Sequence, residues 1–303
     1  MGKGRGLLRG WGRAAAAVAA VVVLGAGTAT WAPALAAPGA ATPGAAGAGD
    51  PYFPLYGNGG YDVSHYDIAV DYRPATGRLQ GRTTITATAT QALSRFDLDL
   101  VLPVSSVTVN GRRAAFSHRV LHELVVTPAA PLAKGARFAV TVVYAGTPAT
   151  ISDHGSSPWA HRGDEAAAVG EPEISAWWFP ADDHPSDAAS YTIAVTVPHG
   201  LQALSNGRLL RTHGAASGDT WTWQESAPMA SYLAFMAVGH YTVSRGTSNG
   251  VPWVTAVSKG LNAQLAAAAR ADLARTPEIV AWHAQQWGRY PSTPWAAWSR
   301  PSR

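Results

Sequence analysis

A chain of 303 residues, 47% hydrophobic and only 14% charged, has material for one or two folded domains and excludes an intrinsically disordered protein. The formal net charge of +4 sits on Lys3, Arg5, Arg9 and Arg13, because the other 19 Lys and Arg balance 19 Asp and Glu; a nucleic-acid partner is not supported. The absence of Cys excludes a disulfide framework, so buried area must supply the stability.

The four cationic residues open the chain. An apolar run follows at 14–25, and small residues lead to Ala34-Leu35-Ala36, an A-x-A cleavage pattern. Residues 1–36 are expected to be a signal peptide for general secretion, there being no twin-Arg pair. The apolar run is too short, and too rich in Ala and Gly, for a bilayer span, so no stable membrane anchor is expected after cleavage. The abundance of Ala, Gly, Arg and Trp fits a GC-rich bacterial genome, and the expected location is extracellular. Residues 37–50 are a low-complexity linker with nothing to bury.

From Tyr61 the pattern has period 2. Tyr66, Ile68, Val70 and Tyr72 alternate with polar or small residues, and Thr84, Thr86, Thr88 and Thr90 face away from Ile85, Ala87 and Ala89. Phe96, Leu98 and Leu100 alternate with Asp97 and Asp99, which predicts a strand buried on one face and wet on the other. Val107 and Val109 precede Asn110-Gly111, a hairpin signal that recurs at Asn206-Gly207. Further strands are predicted at 138–144, 193–197, 221–223 and 232–238. Many short strands and no helix between about 60 and 245 predict a mainly β fold: an antiparallel β-sandwich or saddle-like sheet domain over 51–243.

Helical signal begins late. The Ala-rich stretch 261–275 is a good helix former, and Thr276-Pro277 fits an N-cap with Pro at the first helical position, or a kink. Ile279, Val280, His283 and Trp287 are expected to form an apolar face. The change from sheet to helix near 245–260 marks an expected domain boundary. Residues 291–303 show no periodicity and read as an aberrant tail.

The segment 171–191 concentrates the chemistry: Glu-Pro-Glu-Ile-Ser-Ala-Trp-Trp-Phe-Pro-Ala-Asp-Asp-His-Pro-Ser-Asp-Ala-Ala-Ser-Tyr. Its prolines and acids predict a held turn ahead of a strand. Glu173, Asp182 and Asp187 are read as surface charges and Asp183 as a local turn or cap acceptor. Trp177 and Trp178 could line a peptide- or glycan-binding face; as neighbours in an extended chain, one is expected to be buried and the other to cover a cleft.

This segment resembles a signature of the aminopeptidase N-like zinc metallopeptidases, peptidase family M1. There a Gln or Glu stands nine positions before the Pro of a Phe-Pro-x-x-Asp-x-Pro-x-x-Lys-Ala-x-Phe/Tyr run. Glu171, Phe179, Pro180, Asp183, Pro185, Ala189 and Tyr191 occupy those places, while Ala188 stands where Lys is usual. Pro228 through Phe235 resembles the Pro-Met-Ser-x-Tyr-Leu strand that ends the family's sheet domain, and Trp287-Gly288-Arg289-Tyr290-Pro291 resembles its Phe-Gly-x-Pro-Tyr-Pro turn. The resemblance covers roughly 61–290. It implies a β domain followed, at 244–290, by the start of a thermolysin-like α/β catalytic domain. It also implies zinc as the family's cofactor, peptides as substrates, and Glu171 as the residue gripping a substrate's free amino group.

The family's zinc is held by H-E-x-x-H plus a downstream Glu. No such run is present; His122-Glu123-Leu124-Val125-Val126 begins like it but ends in Val in a β-like setting. The expectation is therefore a chain truncated before the zinc motif, with no catalytic residue, no metal ligand and no cofactor of its own. Asp153, His154, His161 and Asp164 could form a surface metal site, but loop His near Asp are more often solvated. Two functions follow: the amino-terminal part of a secreted zinc aminopeptidase, or a secreted non-catalytic module that binds a peptide or glycan.

Overall fold

Tyr61–Arg73 is made a strand by alternation: Val63, Tyr66, Ile68, Val70 and Tyr72 are buried and the residues between them are not. Val63 and Tyr66 are three apart, yet both face the core, because a bulge shifts the register between Val63 and His65. Pro74–Thr76, closed by Gly77 at φ 65°, turns the chain back into Arg78–Ala89. The computed structural model describes residues 40–119, 122–152, 157–169, 174–290 and, for the backbone, 295–299. All of these fall in one compact unit, Pro38–Arg303; the leading unit, Met1–Ala37, with the expected signal peptide, lies outside the described residues.

The described chain is mostly strand. An eight-stranded sheet has the order Arg208–Ala215, Gly218–Ala230, Ala188–Val197, Tyr61–Arg73, Arg78–Ala89, Arg137–Gly146, Val104–Val109, Arg112–Arg113. Every pairing in it is antiparallel except that of Ala188–Val197 with Tyr61–Arg73, which runs parallel with Ile193 beside Ile68. A four-stranded sheet of Thr42–Pro43, Leu93–Asp99, Glu123–Thr127 and Ala115–His118 shares one core with it, through Ile68, Ile85, Phe96, Leu98, Val126 and Val142 among others. A second four-stranded sheet comprises Trp159–Arg162, Glu165–Ala168, Met236–Gly239 and Gln202–Ser205. A smaller cluster of Leu204, Trp223, Ala237, Tyr241 and Ala256 ties it to the large sheet and to a three-stranded sheet of Tyr241–Ser248, Val251–Ser258 and Trp295–Ser299.

Close approach fixes one glycine. A Cβ on Gly81 would run into the Tyr144 ring, whose hydroxyl donates to the Trp178 carbonyl (2.8 Å) and sits 3.0 Å from Thr83 Oγ1. The ring cannot yield without breaking those bonds. Gly81→Ala is expected to destabilise the fold by about 1–2 kcal/mol through overpacking, seen as a lower urea midpoint. An unchanged midpoint would show that the Tyr144 ring is free to move.

Several sequence expectations need correction. Asn110-Gly111 closes a hairpin with φ of 50° and 74°. Asn206-Gly207 does not, because Gln202–Ser205 and Arg208–Ala215 belong to different sheets. The Asn206 amide instead fixes the crossing by accepting from Phe235 N–H (2.8 Å) and donating to the Leu233 carbonyl (3.0 Å). The same dipeptide at Asn249-Gly250, φ 50° and 76°, does join a hairpin, Tyr241–Ser248 with Val251–Ser258.

The late helical signal resolves into two helices, Ala263–Ala274 and Thr276–Trp287. Asn262 caps the first by accepting from Leu265 N–H at 2.9 Å. Thr276 is not an N-cap; Arg275 carries the chain between helices in helical geometry, and Thr276 Oγ1 donates to the Leu273 carbonyl (2.8 Å). The expected apolar face is rotated from the observed one. Ile279 and Trp287 are exposed, the latter at 82%, while Leu273, Pro277, Val280, Ala281 and Ala284 are half-buried. The stretch read as a tail contributes Trp295–Ser299, a strand parallel to Val251–Ser258 and joined to it through the helices, the crossover that parallel strands require. Among the described residues no helix is long and apolar enough to cross a membrane.

Candidate functional site

Residues 174–187 lead into the strand Ala188–Val197 of the large sheet. Ser175–Trp177 form a 3-10 turn, held by Val101 N–H donating to the Ala176 carbonyl (2.9 Å). Asp99 and Ala181 then exchange backbone hydrogen bonds of 2.8 and 3.1 Å before the chain enters Ala188–Val197. The expectation that one of Trp177 and Trp178 covers a cleft fails: they are 1% and 0% exposed. Alternation between opposite faces belongs to strands. In a turn packed within the core every direction is covered, and Trp178 stacks edge-on against Phe179 at 4.6 Å.

Glu171, the candidate amine-binding residue, lies outside the described residues together with Pro172 and Glu173. Ile174, the first described residue after it, is 1% exposed and part of the core. Trp177 Nε1–H donates to the Ile151 carbonyl at 3.2 Å.

Asp182 and Asp187 are not surface charges, whereas the expectation for Glu173 falls outside the described residues. Asp182, Asp183 and Asp187 are all buried. Asn58 is the hub: its N–H donates to Asp182 Oδ1 (2.7 Å) and its Nδ2–H to Asp99 Oδ2 (3.0 Å), which also accepts Asp183 N–H (2.8 Å). Asp187 accepts Val63 N–H at 3.1 Å. Asp183 is no local cap, since its Oδ1 accepts from Ser231 Oγ at 2.6 Å, across 48 positions. Two separated sequence blocks, around Asp183 and around Ser231, meet in that bond. Burial holds Asp182 far above the usual carboxylate range, helped by the Asp187 carboxylate; burial raises Asp187 too, against the opposing Val63 N–H.

A second acid pair lies on Leu93–Asp99, the strand expected to be wet on one face. Asp97 is 2% and Asp99 0% exposed. Phe96 and Leu98 fill the core as expected, but the opposite face is covered too, so the alternation marks two buried faces. Glu123, cross-strand from Asp99, is buried as well. Burial pushes Glu123 up to about 8, with Asp97 adding repulsion, and burial followed by the Asp183 charge raises Asp99 strongly. His122 stacks on Tyr56, centroids 4.3 Å apart.

These residues do not fit the family's zinc site. Glu123–Thr127 is a strand, so no helix turn brings a second ligand round, and Val126, at the place of the second His, is core. They do come together in a way the sequence does not announce: ligand-type atoms of Asp99, His122 and Glu123 lie within 4.8 Å of one another. The available signal was Asp97-x-Asp99 together with His122-Glu123, 23 residues on. The surface cluster of Asp153, His154, His161 and Asp164, read above as more often solvated than metal-binding, shows no metal-like grouping among the described residues: His161 Nε2 lies 3.1 Å from its own loop's Gly163 carbonyl, and Asp164 faces His240 at 4.0 Å. Asp153 and His154 are outside them.

A groove of about 280 Å³ lies between Val251–Ser258 and the helices, lined by Trp253, Thr255, Arg270, Leu273 and Pro277 among others.

The Peptidase M1 N-terminal domain family matches residues 63–233. Glutamyl aminopeptidase of Sus scrofa is 35% identical over 91 residues, 29% of this chain and 9% of that protein; the Homo sapiens enzyme is 35% identical over 86 residues, 27% and 9% respectively. Among solved structures, the M1 zinc metallopeptidase of Deinococcus radiodurans is 28% identical with a TM-score of 0.75, covering 85% of this chain and 60% of that one. A mutant of it bound to a Tyr-Ser-Ala substrate gives a TM-score of 0.76. The chain thus spans about a tenth of the curated relatives' length and three fifths of the structural relative.

Proposed function

This chain belongs to the peptidase M1 family, and from that premise we propose that it is the amino-terminal, substrate-facing part of a secreted zinc aminopeptidase. The family match over residues 63–233 carries the reading. The whole protein would remove amino-terminal residues from peptides, in keeping with the aminopeptidase relatives and with the tripeptide held by the structural one. Glu171 would grip the substrate's ammonium by charge-assisted hydrogen bonds, so that only a free amino terminus is accepted. Support for this role is its nine-residue spacing from Pro180 and the buried anchor that begins at Ile174. When bound, zinc would polarise the scissile carbonyl and activate water. No H-E-x-x-H occurs in these 303 residues, so its ligands would come from residues outside them.

The 303-residue chain alone is accordingly proposed to hydrolyse no peptide. Protein recovered from culture medium, with its amino terminus read by mass, should begin near Ala37 and release no nitroaniline from aminoacyl-nitroanilides, with or without added zinc. Recovery with Met1 intact rejects export; zinc-dependent release that Glu171→Ala abolishes overturns the inactivity. The alternative, a glycan- or peptide-binding module, loses its principal support because both Trp177 and Trp178 are core residues.

A further inference from the structure

Asp99 and Glu123 face each other directly across an antiparallel pair, a position where like charges repel. Both are buried, and no Lys or Arg is buried among the described residues. Asp99 Oδ2 is satisfied by Asn58 and by Asp183 N–H. Asp99 Oδ1 and both Glu123 carboxylate oxygens, almost wholly shielded from solvent, have no hydrogen-bond partner among the described residues. Such atoms destabilise the fold when left bare and charged, unless the carboxyls take up protons or a cation answers them.

An imidazole nitrogen reaches the same point, and a backbone carbonyl is hydrogen-bonded to that nitrogen. His122 Nε2 is 3.9 Å from Asp99 Oδ1, 3.9 Å from Glu123 Oε1 and 3.1 Å from the Leu55 carbonyl. Its ring is clamped by Tyr56, only 16° from parallel. The 3.9 Å separations fall between the edge and the diagonal of a coordination polyhedron with bonds of about 2.2 Å, and a cation bound to Nε2 would replace the 3.1 Å hydrogen bond from that nitrogen to the Leu55 carbonyl. We propose that Asp99, His122, Glu123 and the Leu55 carbonyl bind one divalent transition cation, of the zinc or manganese type. One imidazole, two carboxylates and a carbonyl favour these ions over calcium or magnesium. The cation would neutralise the paired carboxylates and fasten the loop before Tyr61 to the four-stranded sheet. Its role is structural, and it does not depend on the peptidase reading.

The test uses the full chain. It is stripped with chelator, dialysed against Zn²⁺, Mn²⁺, Ca²⁺ or Mg²⁺, and measured for bound metal and melting temperature. One equivalent of Zn²⁺ or Mn²⁺ with a raised melting temperature is expected. Glu123→Gln and His122→Gln should each weaken binding at least about tenfold, whereas His199→Gln, on the exposed surface, should not. Should the site variants fail to fold, Co²⁺ loading of the unaltered chain decides, with visible absorption bands of nitrogen–oxygen ligation expected. The proposal is overturned by no stoichiometric transition metal, by uptake of calcium or magnesium alone, by featureless Co²⁺ spectra, or by folded site variants that keep full affinity. Peptide turnover plays no part in the readout, so failure here leaves the family-based reading untouched.

Discussion

Trp178→Ala is expected to destabilise the protein by about 3–5 kcal/mol, the range for emptying a large aromatic from a closed core. Its side chain is 0% exposed and packs edge-on against Phe179, which in turn meets Tyr66 and Tyr191. The Trp178 carbonyl also receives the Tyr144 hydroxyl, so collapse around the cavity would have to drag that bond along. Little relaxation is available, which places the loss at the upper end. The melting temperature should fall by roughly 10 °C for a protein of this size. Trp287→Ala is the matched control: at 82% exposed it should change stability by less than about 0.5 kcal/mol. Equal losses in the two variants would mean that residues 174–181 do not key into the core as described.

The second large effect is a loss of stability as pH rises. Asp182 and Asp187 are buried together and titrate as a pair between about 6 and about 9, above the 3.8 of a free Asp. A carboxyl whose folded-state pKa is raised favours folding while protonated. Its contribution is therefore complete below about pH 4 and disappears as pH climbs through the folded values. Asp183 and Asp99 add charges of the same sign nearby, and no buried Lys or Arg among the described residues offsets them. The expected loss from pH 5.5 to pH 9 is on the order of 3 kcal/mol, measured by urea denaturation with chelator present. In Asp182→Asn the amide oxygen can still accept Asn58 N–H and the NH₂ can serve Asp187, mimicking the protonated acid at every pH. That variant should lose clearly less stability over the interval. A flat profile for the unaltered chain, or an identical slope in the variant, would contradict the raised titration of the Asp182–Asp187 pair.

Most of the sheet was legible. Tyr66, Ile68, Val70 and Tyr72 are buried where alternation placed them, and so are Phe96, Leu98, Val140 and Val142. Period 2 reports which side chains share a face; it does not report what lies against that face. Asp97 and Asp99 were misread for this reason, since part of their cover, Ala181 to Asp183, arrives more than 80 residues later. The buried carboxylates carry no local mark either: Asp182 satisfies its Oδ1 through Asn58, 124 positions away. Asn206-Gly207 has the composition of a hairpin turn, and only the partners of its flanking strands reveal a crossing between sheets. The helix face was displaced because Ile279 and Trp287 are apolar without being covered, whereas smaller Ala281 and Ala284 meet neighbours.

The lone parallel pairing at the middle of the large sheet has a kinetic consequence. His65 Nδ1 touches Ser190 Oγ at 2.8 Å, so neighbours there are 125 positions apart along the chain. Tyr61–Arg73 can zip onto Arg78–Ala89 as soon as both exist, but its other edge stays bare until Ala188–Val197 has been synthesised. Closing so long a loop is slow and gains nothing until its ends meet. Wherever the chain folds, pairing of the first two strands before Ala188–Val197 docks therefore leaves an open-edged intermediate, prone to stick to its own kind, and the finished core forms only after that strand arrives.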